Sequence, residues 1–398
     1  VKNKRRNLYI MKKTVLVAGW DGYLGYALTL RLLEKGYKVI GIDDYSRRRN
    51  VQSLGSFSAL DIQTPDERVN LLRKIGTFVH FEHSLHQNYE EMVQFISLNS
   101  PDTIVNLAQQ PSAPFSLKSR KDAEDTSINN LIGTLNMLYY IREYAPSTHL
   151  IQIGSMGEYD PAMGTDIPEG TFDLQMGDKV AKNVIFPRRP GSFYHASKVA
   201  STYYMDCACR WWGVRVTDIM QGVVYGNWTP EIEKYNTNTR LDSDECFGTV
   251  INRFVVQAVI KEPLTIYGNG LQSRGYLAIN DSIQCLMLAI ENPPNKGDYR
   301  TWNQLDDIWN IVGLAGAVKN EAKRYGLEVN SEFIPTPRAE ATNGFQYTPY
   351  VDKLMKLGFR PTRTVEGEIS YSLKKLIPIA ESELFPLRNV VTPKINWR

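Results

Sequence analysis

The chain has 398 residues, 42% hydrophobic and 22% charged, a composition that excludes a disordered polymer and suits one large α/β domain with a smaller lobe. The 46 basic and 43 acidic residues leave a net charge of +3, which argues for neither nucleic acid nor a membrane surface as partner. The four cysteines, Cys207, Cys209, Cys246 and Cys285, form no Cys-x-x-Cys pair, and no His cluster stands at zinc spacing. Neither a disulfide framework nor a metal site is therefore expected, and a reducing cytoplasm fits.

The basic stretch from Val1 to Lys13 lacks the apolar core of a signal peptide and reads as an extension. No run approaches the roughly 20 apolar residues that span a bilayer. Thr14-Val15-Leu16-Val17-Ala18 reads as a strand buried in a parallel sheet, and it leads into Gly19-Trp20-Asp21-Gly22-Tyr23-Leu24-Gly25. A helical pattern with Leu28, Leu32 and Leu33 on one side follows and ends at Gly36. Glycines at such a strand-to-helix turn let backbone approach a pyrophosphate, and the helix N–H groups bind it.

A second strand, Lys38 to Ile42, ends in Asp43-Asp44, where an acid meets adenosine ribose hydroxyls. NAD is favoured over NADP, because that acid repels a 2′-phosphate that Arg47, Arg48 and Arg49 would otherwise attract. These arginines are expected to stack on adenine or to contact substrate anions. From Val51 to Asn99 the chain is polar and irregular with helical patches, and Phe81 to Leu85 occupies the place of an adenine-facing loop. Thr103 to Ala108 is another buried strand, opening into Gln109-Gln110-Pro111-Ser112-Ala113-Pro114, and a helix runs through Asn129 and Asn130 to Asn136. Strands alternating with helices predict a doubly wound parallel sheet of the Rossmann type.

His149 to Gly154 is the next strand, and it delivers Ser155-Met156-Gly157-Glu158-Tyr159 to the sheet edge where α/β proteins place their chemistry. Downstream, Gly191 to Lys198 looks helical and sets Tyr194 and Lys198 one turn apart on one face. An ammonium there stabilises a phenolate, so the tyrosine can act as a base near neutral pH. A strand from Val216 to Met220 opens into Gln221-Gly222-Val223-Val224-Tyr225-Gly226, and the polar stretch from Asn227 to Cys246 reads as a long loop or substrate lid. The expected boundaries are a nucleotide-binding domain over 11–226 and a lobe over 227–398, with parts of 250–300 returning to the first domain.

The strand-end Ser155, Tyr194-x-x-x-Lys198 and the Gly-x-x-Gly-x-x-Gly turn together resemble the extended short-chain dehydrogenase/reductase family over nearly the whole chain. That resemblance implies a Rossmann domain with a smaller C-terminal substrate lobe, and Ser155 bonding a substrate oxygen while Tyr194 exchanges its proton. It implies Lys198 on the nicotinamide ribose, with NAD also held by Gly19, Gly22, Tyr23, Leu24, Gly25, Asp43, Asp44, Arg47, Arg48 and Asn130. For a sugar nucleotide it implies Gln110, Ser155, Met156, Gln221, Val224, Tyr267, Gln272, Arg274 and Arg338, with an arginine on the diphosphate.

Within the family, Ser155 to Tyr159, Tyr194 to Lys198, Gln221 to Gly226, Pro111 to Ser116 and Arg274 to Leu277 are most similar to members that build a sulfonated sugar nucleotide from UDP-glucose and sulfite. The family's dehydratases carry an acid and a base at a similar Thr-Asp-Glu, but Met156 and Gly157 fill those places here. Elimination then needs other groups, for which Glu158 and His195 are the nearby candidates. Plastid-type members carry an arginine where Pro111 stands, so an anion contact is missing or is supplied elsewhere. A sugar-nucleotide 4-epimerase or 4,6-dehydratase is the alternative activity, a noncatalytic NAD-binding protein a more distant one, and a homodimer or higher homo-oligomer is expected.

Overall fold

The computed structural model of the protein describes residues 13–159, 166–336 and 349–394. The stretch before Lys13 and the substrate-contact candidate Arg338 lie outside the described residues. The centre is a sheet of seven parallel strands. They are β1 (Thr14–Ala18), β2 (Lys38–Asp43), β3 (Phe78–Glu82), β4 (Thr103–Asn106), β5 (His149–Ser155), Arg215–Gln221 and Tyr299–Gln304. Their order across the sheet is β3-β2-β1-β4-β5, then Arg215–Gln221, then Tyr299–Gln304 at the far edge. The chain reverses its direction of winding between β1 and β4, which opens a crevice at their carboxyl ends.

Successive side chains of a strand face opposite sides, and β1 uses both faces as core. Val15 and Val17 join Leu28 and Leu32 of helix α1 (Tyr23–Glu34) and Ile283 and Leu286 of the helix Ile279–Glu291. Leu16 and Ala18 face the other way, onto Met137 and Ile141 of the helix Arg120–Tyr144 and Met205 of the helix Phe193–Trp212. Two helical layers over one sheet is the doubly wound arrangement that the alternating pattern predicts. A separate core gathers Phe254, Leu314, Val318, Ile369 and Leu373 from the helices Val250–Val259, Ile311–Arg324 and Val365–Leu376. Between these two cores, Val223–Tyr225, Ser273–Ala278 and Asp307–Asn310 form a small three-stranded sheet.

Two segments differ from the sequence reading. The polar stretch after Val51 contains an edge strand, β3, whose Phe-Val-His-Phe-Glu pattern is too short and too mixed to stand out beside its helical neighbours. The stretch from Asn227 to Cys246 is not a lid: Thr237, Thr239, Arg240, Asp242, Ser243 and Asp244 are all buried. Most of its polar groups go inside because they find partners. Thr237 meets the Tyr26 hydroxyl at 2.9 Å, Thr239 donates to the Tyr23 carbonyl at 2.6 Å, and Asp242 binds Arg240 and Arg47. A composition that suits solvent suits an internally bonded strap equally well.

Candidate active site

A continuous cleft of about 1260 Å³ runs between the carboxyl ends of the large sheet and the second lobe. At one end lies the glycine turn. Gly19 has φ +80°, and a Cβ there would stand 2.7 Å from the Leu107 carbonyl; a Cβ on Gly25 would meet the Gly19 carbonyl oxygen at 1.9 Å. Only glycine lets the turn pack this tightly under the helix it starts. Gly22 caps α1 with no side-chain bond and no acid in the first turn, so the helix N–H groups face the cleft uncovered. Tyr23 and Leu24 line the same wall, with the Tyr23 hydroxyl donating to the Gly226 carbonyl.

Asp43 closes β2 and accepts the Asp21 N–H at 2.9 Å and the Tyr45 N–H at 2.8 Å. Burial, reinforced by the neighbouring Asp21 carboxylate, pushes its carboxyl up to about 7. Each of its oxygens retains a lone pair, and the group lines the cleft beside Asp44, His83 and His86. The cradle fits a dinucleotide: glycines where backbone must approach a pyrophosphate, donors aimed at it, and a carboxylate one strand over for ribose hydroxyls.

The two arginines assigned to this end are engaged elsewhere. Arg47 lines the cleft, but its guanidinium binds Asp242 at 2.7 Å and lies 3.8 Å over the Phe247 ring, fastening the buried strap to the helix Ser46–Ser53. Arg48 does not line the cleft; it forks onto Asp21 and the Gln63 carbonyl. A carboxylate within reach satisfies a buried guanidinium better than the face of a base does. Asn130 is likewise behind the wall, fully buried, its amide joining the Gln110 backbone to the Ser197 hydroxyl. It positions the loop after β4 rather than presenting a contact.

At the centre, Ser192 caps the helix Phe193–Trp212 by accepting the His195 N–H, and Gly213, with φ +71°, ends it. Tyr194 and Lys198 therefore project together. Ser155, at the end of β5, lines the cleft together with Tyr194, its hydroxyl accepting the Gly157 N–H at 3.1 Å. The Lys198 ammonium sits 5.6 Å from the centre of the Tyr194 ring, bonded to the Gln109 side chain and the Ile153 carbonyl. Burial raises the Tyr194 phenol well above its ordinary range, the Glu158 carboxylate adds to this, and Ser155 opposes it. Burial also lowers Lys198, against the pull of Glu158 and Asp218. In the protein alone, desolvation is the largest influence on both groups. A cation bound against the ring would reverse that balance.

His195 lines the cleft, its Nδ1 2.9 Å from the Ser192 hydroxyl. Its ring lies against Gly157, where a Cβ would fall 2.2 Å from Nε2. Met156 lines the same wall, with Tyr159, Ile167, Phe186 and Met220 packed behind it. Glu158 departs from the expectation of a group in the cleft. It is fully buried on the far side of the turn, accepts the Ser155 N–H at 2.8 Å and pairs with Arg188. The strand-end turn forms a capping box, which draws the Glu158 carboxylate back toward the backbone and away from substrate.

The cleft is further lined by Gln110, Gln221, Val224, Tyr267, Gln272 and Arg274. Two residues there or nearby were not singled out by the sequence motifs. Gln109, which holds Lys198, is adjacent to the Gln110 that sequence does single out. Arg253, 5% exposed, lines the cleft beside Tyr267, bonding its hydroxyl at 3.4 Å and the Thr265 carbonyl at 3.2 Å. Its Nε has no partner among the described residues. A lone charged residue in the largely apolar helix Val250–Val259 is the pattern that could have revealed it.

With this geometry in place, the chain matches the family model described as NAD dependent epimerase/dehydratase family over residues 15–304. The chain belongs to that family. It is 39% identical to a UDP-sulfoquinovose synthase of Sulfolobus acidocaldarius, across 96% of this chain and 97% of the relative. It is 37% identical to a chloroplastic UDP-sulfoquinovose synthase of Spinacia oleracea, across 88% of this chain and 72% of the relative. Among solved structures it resembles a Thermotoga maritima UDP-glucose 4-epimerase with UDP-glucose, at a TM-score of 0.65 and 20% identity, covering 91% of this chain and 98% of that one. The last likeness is one of fold.

Proposed function

We propose that the protein converts UDP-glucose and sulfite to UDP-sulfoquinovose. The observation that carries this reading is the strand-end turn. Ser155, Tyr194 and Lys198 converge as a redox site requires, while Met156 and Gly157 stand where a dehydratase keeps its acid and base, and His195 is folded over Gly157. The two sulfoquinovose synthases similar along most of the chain support the same reading.

The glycine turn and Asp43 would hold NAD, which when bound would supply a reversible hydride acceptor for C4 of the sugar. Tyr194 takes the C4 hydroxyl proton, Ser155 holds the same oxygen, and Lys198 supplies positive charge beside the phenolate. The resulting 4-ketone acidifies the C5 hydrogen. His195, the titratable group on the cleft side of the turn, takes that proton and delivers one to the departing C6 hydroxyl, so water is lost and a C5–C6 double bond forms. The sulfur lone pair of sulfite then makes the bond to C6, and C5 recovers a proton. Arg253 and Arg274 hold the diphosphate.

Incubation with UDP-glucose alone in deuterium oxide tests the elimination half. Deuterium should enter C5. Formation of UDP-galactose without exchange at C5 would favour a 4-epimerase instead.

Two further parts of the reading concern the whole protein. The adjacent helices Arg120–Tyr144 and Phe193–Trp212 carry exposed Ile132, Tyr203, Tyr204 and Trp211, and self-association through them to a homodimer would cover these side chains. All four cysteines are free thiols, which suits a reducing cytoplasm. Among the described residues no helix is long and apolar enough to cross a membrane.

A further inference from the structure

Behind the redox site, Lys198 adjoins a sealed cluster whose Glu158, Arg188 and Asp218 the steps above do not use. Glu158 and Asp218 are fully buried, the Arg188 side chain is 2% exposed, and Lys198 is 4% exposed. Arg188 joins them: its Nη1 binds the Glu158 carboxylate and donates to the Thr202 hydroxyl at 2.6 Å. Thr202 in turn donates to Asp218 at 2.9 Å, and the Tyr299 hydroxyl meets the same Asp218 oxygen at 2.7 Å. Thr202 is one helical turn beyond Lys198. The cluster thus ties together the end of β5, the loop before the catalytic helix, the helix itself, the strand Arg215–Gln221 and the edge strand.

We propose that Glu158 is a positioning residue which, locked to Arg188 on the sealed side of the strand end, fixes Ser155 and sets the charge balance around Tyr194 and Lys198. The inference rests on the reading of Tyr194 and Lys198 as the redox pair. The geometry gives Glu158 two functions at once. One carboxylate oxygen holds the Ser155 N–H, and with it the turn that presents Ser155 to the cleft beside Tyr194. The other oxygen carries the guanidinium that offsets two buried carboxylates. Glu158 and Asp218 against Arg188 and Lys198 balance to neutrality, the condition under which so much charge can be buried.

The groups facing Glu158 are Tyr159 from its own turn, Arg188 from the loop, Tyr194 and Lys198 from the helix, Asp218 from the adjoining strand and, through Asp218, Tyr299 from the edge strand. Among them Tyr194 is opposed by the Glu158 charge and Lys198 is favoured by it. A substitution that removes only the charge has a signed consequence: the phenol becomes easier to ionise and the ammonium easier to lose.

The test follows nicotinamide absorbance in single turnovers of the NAD-bound enzyme mixed with UDP-glucose across pH, beside deuterium exchange at C5. In Glu158→Gln the acid-side midpoint of hydride transfer should move down by about one pH unit, with C5 exchange retained. Asp218→Asn, which leaves the Ser155 bond intact and serves should Glu158→Gln misfold, should move the alkaline limb down as Lys198 loses one of the two carboxylates that favour its charge. Arg188→Lys, keeping the charge, should leave both limbs in place. Unshifted limbs in variants that merely turn over slowly would reduce Glu158 to a structural strut. Loss of C5 exchange with hydride transfer intact would make Glu158 the proton carrier of elimination, and either result overturns the proposal. Wild-type protein that never reduces its nicotinamide would instead overturn the redox reading on which it stands.

Discussion

In the proposed reaction Tyr194, Gly157 and Asp43 each carry one separable part. Tyr194→Phe keeps the ring and removes only the proton acceptor, so hydride transfer should fall by about 10²- to 10⁴-fold while calorimetry finds UDP-glucose binding close to wild type. Gly157→Ala puts a methyl group where the His195 ring lies. It should leave nicotinamide reduction near wild type but slow C5 deuterium exchange by about 10²-fold, the order of cost for a displaced catalytic group. Asp43 has its carboxyl raised to about 7 by burial and Asp21, and ribose hydroxyls donate to the ionised form. NAD retention should therefore weaken as pH falls through 7 and level off above it. Dialysis at about one pH unit to either side of that midpoint, followed by assay of the nicotinamide left on the protein, checks the sign; Asp43→Asn should erase the difference. Stronger retention at the lower pH would exclude Asp43 as the ribose contact.

At the scale of elements, most of what positions the site is legible in the sequence because it depends on local rules. A glycine-rich strand-to-helix turn, a strand ending in an acid, a serine at a strand end and a helix started by Ser192 each fix their geometry within a few residues. Where each side chain turns depends instead on contacts between segments distant in sequence, and no local pattern announces them. Arg47 finds Asp242, Arg48 finds Asp21, and Glu158 turns to Arg188 instead of the cleft. The strap between Asn227 and Cys246 is hidden for the same reason, since its polar composition is satisfied by tertiary bonds. Asp242→Ala should leave Arg47 and the buried Arg240 without the carboxylate they share, at a cost of about 3 kcal/mol. Urea titration would register it as a lower midpoint, and an unchanged midpoint would return the strap to a dispensable loop.

The whole molecule brings a two-faced parallel sheet and a second helical core against one another, and in the proposed reading the cleft between them takes a dinucleotide at the sheet and a sugar nucleotide toward the lobe. If the helices Arg120–Tyr144 and Phe193–Trp212 pair with those of a second copy, light scattering should give twice the chain mass, and Tyr204→Glu should return a monomer. The most direct measurement of the central claim is the mass of the product formed from UDP-glucose, sulfite and purified protein. The account predicts a nucleotide sugar in which a sulfonate replaces the C6 hydroxyl, formed only when sulfite is present and without added NAD being consumed. UDP-galactose or a 4-keto-6-deoxy sugar nucleotide as the sole product, with sulfite present and unused, would contradict it.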